Sequence, residues 1–320
     1  MTLTLAIPCH NDAAPLGRLL QRIATLDLAD QVIVVDDGSV PPLEAAPLAA
    51  ASGLPPERLT LLRNDSARGP GAARNQALAR TSGTHLLFLD ADDLPTRELP
   101  ELLRDLAGED FDFCQFQYHD TRMDQEHVWG QTPHDQRFWH AAGVDLGALS
   151  EVGPDAAAEL SRTANYPWNK LYRTEFLRAH AIGCSEILVH EDIELHWRSY
   201  VHAGRILASD RIGVIHFVSP EGLRLTNRTG PERLALFEPL GRLATEVRTG
   251  ADGLYALPFF GFALGLFDWI AGNLDPAWHR DLAAGVRTFV DQHVPEEMLA
   301  RLRTAEPERT ARVLARAGLS

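Results

Sequence analysis

The sequence predicts an α/β protein in which a mostly parallel sheet is flanked by helices and followed by a helical C-terminal region. Short apolar runs rich in β-branched residues alternate with amphipathic stretches over the first hundred residues, which is typical of a parallel sheet. Acidic and polar clusters directly follow several of these runs. From Pro231 onward, apolar residues recur at helical spacing, beginning with Leu234, Phe237 and Leu240.

The first four predicted strands are short and end in polar residues. The first covers residues 2–8, and an amphipathic helix over residues 15–26 follows it. The second is QVIVVD, residues 31–36, whose β-branched composition suits a strand buried on both faces. The third lies near residues 59–63, and the fourth ends at Leu89. Helices predicted between these strands supply the crossovers that parallel pairing requires.

Three of these strand ends carry side chains suited to a ligand site. The first ends in PCHND (residues 8–12), the second in Asp36 and Asp37, and the fourth in LDADD (residues 89–93). Ligands of parallel sheets bind at the carboxyl ends of the strands. Clustered carboxylates repel one another, so a hard divalent cation such as Mg²⁺ or Mn²⁺ is the simplest partner for the third cluster. A solvated acidic turn is the alternative.

A turn that contains two glycines precedes the fourth strand. It reads RGPGAARN, residues 68–75, and leads into a predicted helix over residues 71–81. Backbone amides at a helix start and nearby guanidinium groups suit a diphosphate. An ordinary surface turn, with one arginine paired to a carboxylate, is the alternative. The glycine pattern does not match a dinucleotide fingerprint, because it lacks the third glycine and does not follow the first strand.

The second half of the predicted domain shows weaker patterns. A fifth strand is expected near residues 111–118, and residues 120–163 have no long periodicity. The segment YPWNKLY (166–172) precedes a helix, and a further helix is expected over 187–203, with His190, Glu191 and Asp192 near its start. Acidic residues there also complement a helix dipole. A zinc-protease motif is excluded because His190 and His196 are six residues apart. Residues 206–218 predict a strand that ends near His216.

Composition narrows the class of protein. The chain has 320 residues, of which 45% are apolar and 23% charged, as in ordinary globular proteins. A formal net charge of −14 disfavours binding to nucleic acid. The three cysteines are far apart, which indicates free thiols in a reducing compartment, and no signal peptide is evident. We therefore expect a cytoplasmic protein, with peripheral contact to the inner face of the cell membrane left open.

One apolar segment bears on that expectation. Residues 253–267 carry no charge, but a spanning helix needs about 20 apolar residues, and Pro258 and Asp268 interrupt the segment. We expect a helix buried within the protein. A helix lying on a membrane surface and a true span are the two alternatives.

The ordered set of motifs resembles the inverting family 2 glycosyltransferases of the GT-A fold, which have a mostly parallel, Rossmann-like sheet. The matching pieces are AIPCHND, VVDDGS, GPGAARN, LDADD, WNKLYR and HED, and together they cover about residues 2–200. The resemblance implies a GT-A domain over 1–218, with a nucleotide half to about 118 and an acceptor half over 119–218. Residues 219–320 then form a lid loop and the C-terminal helical region.

The resemblance also implies roles for individual residues. Asp192 is the expected catalytic base, and Asp92 the expected metal ligand, with Asp90 supporting the metal or the ribose. The expected donor-binding residues are Pro8, His10, Asp36, Asp37, Arg74, Asn75 and Asp90. Contacts with the phosphates or the acceptor are expected of Lys170, Glu191, His216 and Arg224. His10 departs from relatives that often have an aromatic residue there, so base stacking is expected to differ.

The activity implied is metal-dependent transfer of a sugar, with Mn²⁺ or Mg²⁺, from a nucleotide sugar. A UDP-sugar is the simplest donor, and the acceptor is a hydroxyl of a glycan, a lipid-linked sugar or a polysaccharide of the cell envelope. A homodimer is left open. A nucleotidyltransferase that forms sugar nucleotides is one alternative, although PCHND lacks the glycines of its phosphate loop. A catalytically silent nucleotide-binding module is the other.

Overall fold

Four parallel strands form the first half of the sheet. The computed structural model describes residues 1–144, 149–218 and 227–319. The strands are β1 (Leu3–Cys9), β2 (Gln31–Asp37), β3 (Leu59–Asn64) and β4 (His85–Phe88). β1 pairs with β2 and β4, and β2 pairs with β3. The crossover helices are α1 (Ala13–Leu26), α2 (Ala45–Ser52) and α3 (Pro70–Arg80). The carboxyl ends of all four strands therefore lie along one edge.

The second half of the sheet is mixed in direction. Its strands are β5 (Leu94–Pro95), β6 (Phe113–Asp120), β7 (Ser150–Glu151), β8 (Lys170–Arg173) and β9 (Ile206–His216). The strand order is β3-β2-β1-β4-β8-β6-β9-β5, and β7 pairs with β9. β8 runs antiparallel to both β4 and β6, and β9 runs parallel to β6. β6 and β9 therefore end at the same edge as β4.

Within the residues that the structure describes, five α-helices accompany this half. They are α4 (Leu99–Asp105), α5 (Pro133–Ala142), α6 (Pro154–Leu160), α7 (Thr174–Ala179) and α8 (Ile193–His202). α5 and α6 fall in the stretch where the sequence showed no long periodicity. The helix expected over residues 187–203 begins only at Ile193, because His190 has a left-handed backbone with φ of 67°. The HED residues therefore lie in the turn that enters α8.

The C-terminal helices pack around one apolar helix. They are α9 (Phe237–Thr249), α10 (Ala256–Asn273), α11 (His279–His293), α12 (Glu296–Ala305) and α13 (Pro307–Arg316). α10 contacts the other four, and α8 packs on α9. α10 is long and apolar enough to cross a membrane by length and composition, and 44% of its apolar window is buried within the protein. The expected helix is thus present, and a membrane role stays a prediction.

The core lies on both faces of the sheet, and the C-terminal helices share it. Leu5 and Val34 pack on the side of α1, whereas Ala6 and Ile33 point to the opposite side. The hydrophobic cluster that contains Ala6 and Ile33 also includes Phe259 on α10. This alternation is what the period of a strand imposes on a doubly covered sheet. The α/β architecture predicted from the sequence is confirmed.

Candidate active site

The turns after β1 and β2 are tied together at the shared edge of the sheet. The backbone N–H of Asn11 donates to Ser39 Oγ at 2.9 Å, and the N–H of Val40 donates to Asn11 Oδ1 at 2.8 Å. His10 Nδ1 donates to the carbonyl oxygen of Asp37 at 2.7 Å, while its Nε2 accepts from Asn11 Nδ2 at 3.0 Å. Pro8 is half-buried and His10 is exposed. The imidazole of His10 is therefore held in place at the mouth of this edge.

Asp36 is fully buried and holds the turn after β2. Its carboxylate accepts from the backbone N–H groups of Ser39, at 2.9 Å, and Leu43, at 3.0 Å, and forms an ion pair with Arg63. Burial raises the pKa of Asp36, but the hydrogen bonds from Ser39, Leu43 and Arg63 outweigh burial and lower it overall. These contacts give Asp36 a structural role, and its contact with a nucleotide stays a prediction.

Asp37 anchors the glycine-containing turn that begins α3. Its carboxylate accepts from Asn64 Nδ2 at 2.8 Å and from the backbone N–H groups of Arg68, at 3.0 Å, and Gly69, at 2.8 Å. Gly69 has φ of 95°, which only glycine adopts readily. The sequence reasoning missed Arg63 and Asn64. Their signal was available, because both are polar residues at the carboxyl end of the third strand.

The three aspartates after β4 divide into one buried residue and two accessible ones. Asp93 is fully buried; His216 Nδ1 donates to its carboxylate at 3.0 Å, and the backbone N–H of Phe217 does the same. Burial raises the pKa of Asp93. Burial lowers the pKa of His216, but the charge of Asp93 outweighs burial and raises it overall. Asp90 and Asp92 are half-buried, so they are the two carboxylates that can reach a ligand.

A buried arginine joins this acidic strand end to the HED segment. Arg74, in α3, is only 4% exposed. Its Nη2 donates to Asp90 Oδ1 at 2.6 Å, and its Nη1 donates to Glu191 Oε1 at 2.7 Å. Burial lowers the pKa of Arg74, but the charges of Asp90 and Glu191 outweigh burial and raise it. Two motifs about a hundred residues apart in the sequence thus share one guanidinium group.

Further contacts of α3 fix the approach of the HED segment. Asn75 Nδ2 donates to the carbonyl oxygen of Cys184 at 2.8 Å, and the N–H of Cys184 donates to Asn75 Oδ1 at 2.8 Å. A Cβ atom at Gly71 would lie 2.1 Å from the carbonyl oxygen of Ser185, so only glycine permits this approach. A contact of Asn75 with a nucleotide stays a prediction. Cys184, like Cys9 and Cys114, is a buried free thiol, as predicted.

Asp192 lies immediately before α8 and next to Glu191. Burial raises the pKa of Asp192 to about 7, and the charge of Glu191 adds to that effect, while Arg74 opposes it. Lys170, at the start of β8, is fully buried and donates to the carbonyl oxygen of Tyr166 at 2.9 Å and to Asn169 Oδ1 at 2.8 Å. Burial lowers the pKa of Lys170 to about 7. A carboxylate poised near neutral pH can accept a proton.

The donor set at the end of β4 fits a hard divalent cation. Among the residues that the structure describes, no three His, Cys, Asp or Glu side chains form a ready-made metal cage. Mg²⁺ commonly binds through one or two carboxylates together with substrate phosphates and water. Asp90 and Asp92 supply two accessible carboxylates of this kind. Arg224 and most of the expected lid loop, residues 219–226, lie outside the described residues.

The parallel strands with acidic ends, joined across β8 to a second half that carries the HED segment, define the GT-A class of transferase fold. A solved structure of Staphylococcus aureus TarS, residues 1–349, in complex with UDP-GlcNAc has the same fold. Its TM-score is 0.75 at 20% identity, over 99% of this chain and 89% of that one. The model for glycosyl transferase family 2 matches residues 4–178, more than half of the chain, which therefore belongs to this family of glycosyltransferases.

Sequence relatives agree with this assignment. The succinoglycan biosynthesis protein ExoU of Rhizobium meliloti is 28% identical over 233 residues, covering 70% of this chain and 64% of ExoU. The pre-mycofactocin glycosyltransferase of Mycobacterium tuberculosis is 37% identical over 94 residues, covering 29% of this chain and 18% of that protein. The chain thus spans less than two thirds of the length of both relatives. Among solved structures, the Pyrobaculum calidifontis mannosyltransferase PcManGT, in complex with GDP-Man and Mn²⁺, matches with a TM-score of 0.53 at 17% identity, over 98% of this chain and 86% of that one.

Proposed function

We propose that the protein transfers a sugar from a nucleotide sugar, most simply a UDP-sugar, to a hydroxyl group of a carbohydrate acceptor, with inversion at the anomeric carbon. The observation that carries this proposal is the shared contact of Arg74. One guanidinium group holds Asp90, on the donor side, and Glu191, the neighbour of the proposed base Asp192. Donor-binding and proton-accepting groups are thereby fixed relative to one another before any substrate arrives.

The donor half offers a place for each part of a nucleotide sugar. The nucleoside lies against the turns after β1 and β2, near His10. The diphosphate lies near the start of α3 and the carboxylates Asp90 and Asp92. We assign Mg²⁺ or Mn²⁺ to these two carboxylates, where the cation offsets charge on the departing nucleoside diphosphate. We assign no metal to Asp93, because its carboxylate accepts a hydrogen bond from His216 and thereby ties the end of β4 to β9.

The acceptor half supplies the base. A sugar hydroxyl is a poor nucleophile, and a carboxylate within hydrogen-bond reach removes its proton as the oxygen attacks. Asp192, with its pKa raised to about 7, is ionised in a large fraction of molecules at neutral pH while still basic enough to accept that proton. Attack on the face opposite the leaving group inverts the anomeric centre. Lys170 and Glu191 act on the charge of Asp192 and have no assigned contact with substrate.

The relatives support the choice of donor and acceptor classes. TarS is described in complex with UDP-GlcNAc, and ExoU is named for succinoglycan biosynthesis. A hexose or N-acetylhexosamine donor and a polysaccharide acceptor of the cell envelope are therefore the first to test. Family membership argues against the nucleotidyltransferase alternative. Cytoplasmic location, peripheral membrane contact and a homodimer stay predictions.

Calorimetric titration of UDP, GDP and dTDP, with and without Mn²⁺, tests the donor half. We expect one of the three nucleotides to bind only when Mn²⁺ is present. Asp92→Ala should abolish this Mn²⁺-dependent binding. Asp291→Ala, which removes an exposed carboxylate on α11, is the matched control and should bind as the wild type does. If no nucleotide binds the wild-type protein, the proposed function is wrong.

A further inference from the structure

An exposed tryptophan from the C-terminal helices lies against His190 of the HED segment, which also carries the proposed base. Trp269, on α10, has 47% of its surface exposed. Its ring centroid is 6.0 Å from that of His190, in an edge-to-face arrangement. His190 is two residues before Asp192, and two residues span about 7 Å at most. A ligand that contacts Asp192 can therefore also reach the ring of Trp269.

The ring of Trp269 is fixed from behind. The guanidinium carbon of Arg233 lies 4.6 Å from the ring centroid, which is the geometry of a cation–π contact. Arg233 is itself only 1% exposed, and its Nη1 donates to His190 Nε2 at 3.3 Å. The three side chains thus form a cluster that connects α10 to the HED segment. A ring held in this way loses little conformational freedom when a ligand binds to its open side.

The surroundings of the ring indicate what kind of ligand fits it. One turn along α10 are Gly272 and Asn273, both exposed, and Gly265 lies one turn before. Leu266, three residues before the ring, is half-buried, and among the described residues of α10 Trp269 is the only large apolar side chain that is exposed. A lipid surface needs a contiguous apolar patch, and the net charge of −14 opposes anionic membranes. A pyranose ring has an apolar face of C–H groups and a rim of hydroxyls, which matches a single exposed aromatic ring with a polar neighbour such as Asn273.

We propose that Trp269 is a stacking platform for a sugar ring of the acceptor, next to the ring whose hydroxyl is deprotonated by Asp192. This inference rests on the proposed function, because it names the acceptor subsite of the same reaction. It assigns a role to the C-terminal helices, which lie beyond the residues matched by the family model. The acceptor that this proposal names is an oligosaccharide or a longer glycan, because the ring on the platform is a second sugar beside the one that reacts.

The test is a ligand-observed NMR titration with three probes: maltopentaose, cellopentaose and chitopentaose. The wild-type protein should bind at least one of them at about 10 mM or below. Trp269→Ala and Trp269→Leu should weaken that binding about tenfold, the second variant keeping an apolar side chain against Arg233. Trp269→Phe retains an aromatic face and should stay within about threefold of the wild type. Trp278→Ala, at another exposed tryptophan, is the control and should not change binding.

Four results would overturn the proposal. Three concern the titration: unchanged binding in the folded Trp269→Leu variant, an equal loss of binding in Trp278→Ala, and no binding of any probe to the wild type. The fourth is Trp269-dependent cosedimentation of the protein with vesicles of phosphatidylcholine and phosphatidylglycerol. The last result would mean that the ring contacts a membrane. The titration contains no nucleotide, so its outcome is independent of the calorimetric test of the donor site, and failure of one proposal can be told from failure of the other.

Discussion

Replacing Asp192 with asparagine removes the proposed base while keeping the size and shape of its side chain. Arg74 keeps both of its carboxylate partners, Asp90 and Glu191, in this variant. We therefore expect nucleotide binding to stay near the wild-type value, whereas turnover falls. General-base catalysis contributes about 100- to 10,000-fold, and the loss in kcat should lie in that range. Asp291→Asn, on the exposed face of α11, is the matched control.

The raised pKa of Asp192 predicts how the wild-type enzyme depends on pH. Burial raises this pKa to about 7, and the base acts only when ionised, so activity rises as pH rises through that value. The ionised fraction increases about tenfold between pH 6 and pH 8, and kcat/KM should follow it. An aspartate with the ordinary pKa would be fully ionised over this whole range, and the profile would be flat.

The assay is release of nucleoside diphosphate from the preferred donor, measured across pH 5.5 to about 8.5 with both variants and the wild type. Lys170 and Asp192 both have a pKa of about 7, and Lys170→Met tests which of them causes the rise in activity. Lys170 is fully buried, and its charge lowers the pKa of Asp192. In Lys170→Met the rise should persist and move to higher pH. Turnover by Asp192→Asn within about twofold of the wild type, or a flat profile, would refute the assignment of the base.

Three further predictions concern the groups that support the site. Arg74→Gln removes a charge that lowers the pKa of Asp192, so the rise of kcat/KM with pH should move to higher pH. Arg74→Lys keeps the charge and should move the rise less. Identical pH profiles of Arg74→Gln and the wild type would contradict this role of Arg74. His216→Ala removes the charged partner of the buried carboxylate of Asp93, to which the backbone N–H of Phe217 still donates. The free energy of unfolding in urea titrations should fall by about 3 kcal/mol, and a loss below about 1 kcal/mol would argue against the ion pair. Gly71→Ala should destabilise the fold by about 1–3 kcal/mol or more, since its Cβ meets the backbone at Ser185, whereas Gly17→Ala, which meets no atom within 4 Å, should be neutral or stabilising.

The sequence predicted the first half of the sheet well because its strands are short apolar runs with polar ends. QVIVVD, residues 31–36, corresponds almost residue for residue to β2 (Gln31–Asp37), and the fourth run, which ends at Leu89, stops one residue after β4. Burial on both faces demands such runs, so the pattern and the structure have a common cause. Because each polar cluster follows a parallel strand, the clusters could be predicted to lie at the same edge of the sheet.

The parts that were missed depend on contacts between distant residues. α5 and α6 are only ten and seven residues long, so an amphipathic pattern has little length in which to repeat. β8 lies between β4 and β6 and runs antiparallel to both, and no local sequence pattern reveals these pairings. The partners of Arg74 lie 16 and 117 residues away, and its burial between two carboxylates could not be inferred from GPGAARN alone.

The most direct test of inverting sugar transfer is the stereochemistry of donor cleavage, monitored by time-resolved ¹H NMR without an added acceptor. Water takes the place of the acceptor hydroxyl, and UDP-glucose, UDP-N-acetylglucosamine and GDP-mannose, all α-linked, serve as donors in the presence of Mn²⁺. We expect the sugar released first from the accepted donor to be the β anomer, and Asp192→Asn to release it far more slowly. Release of the α anomer first, or no cleavage of any donor, would contradict inverting transfer by this protein.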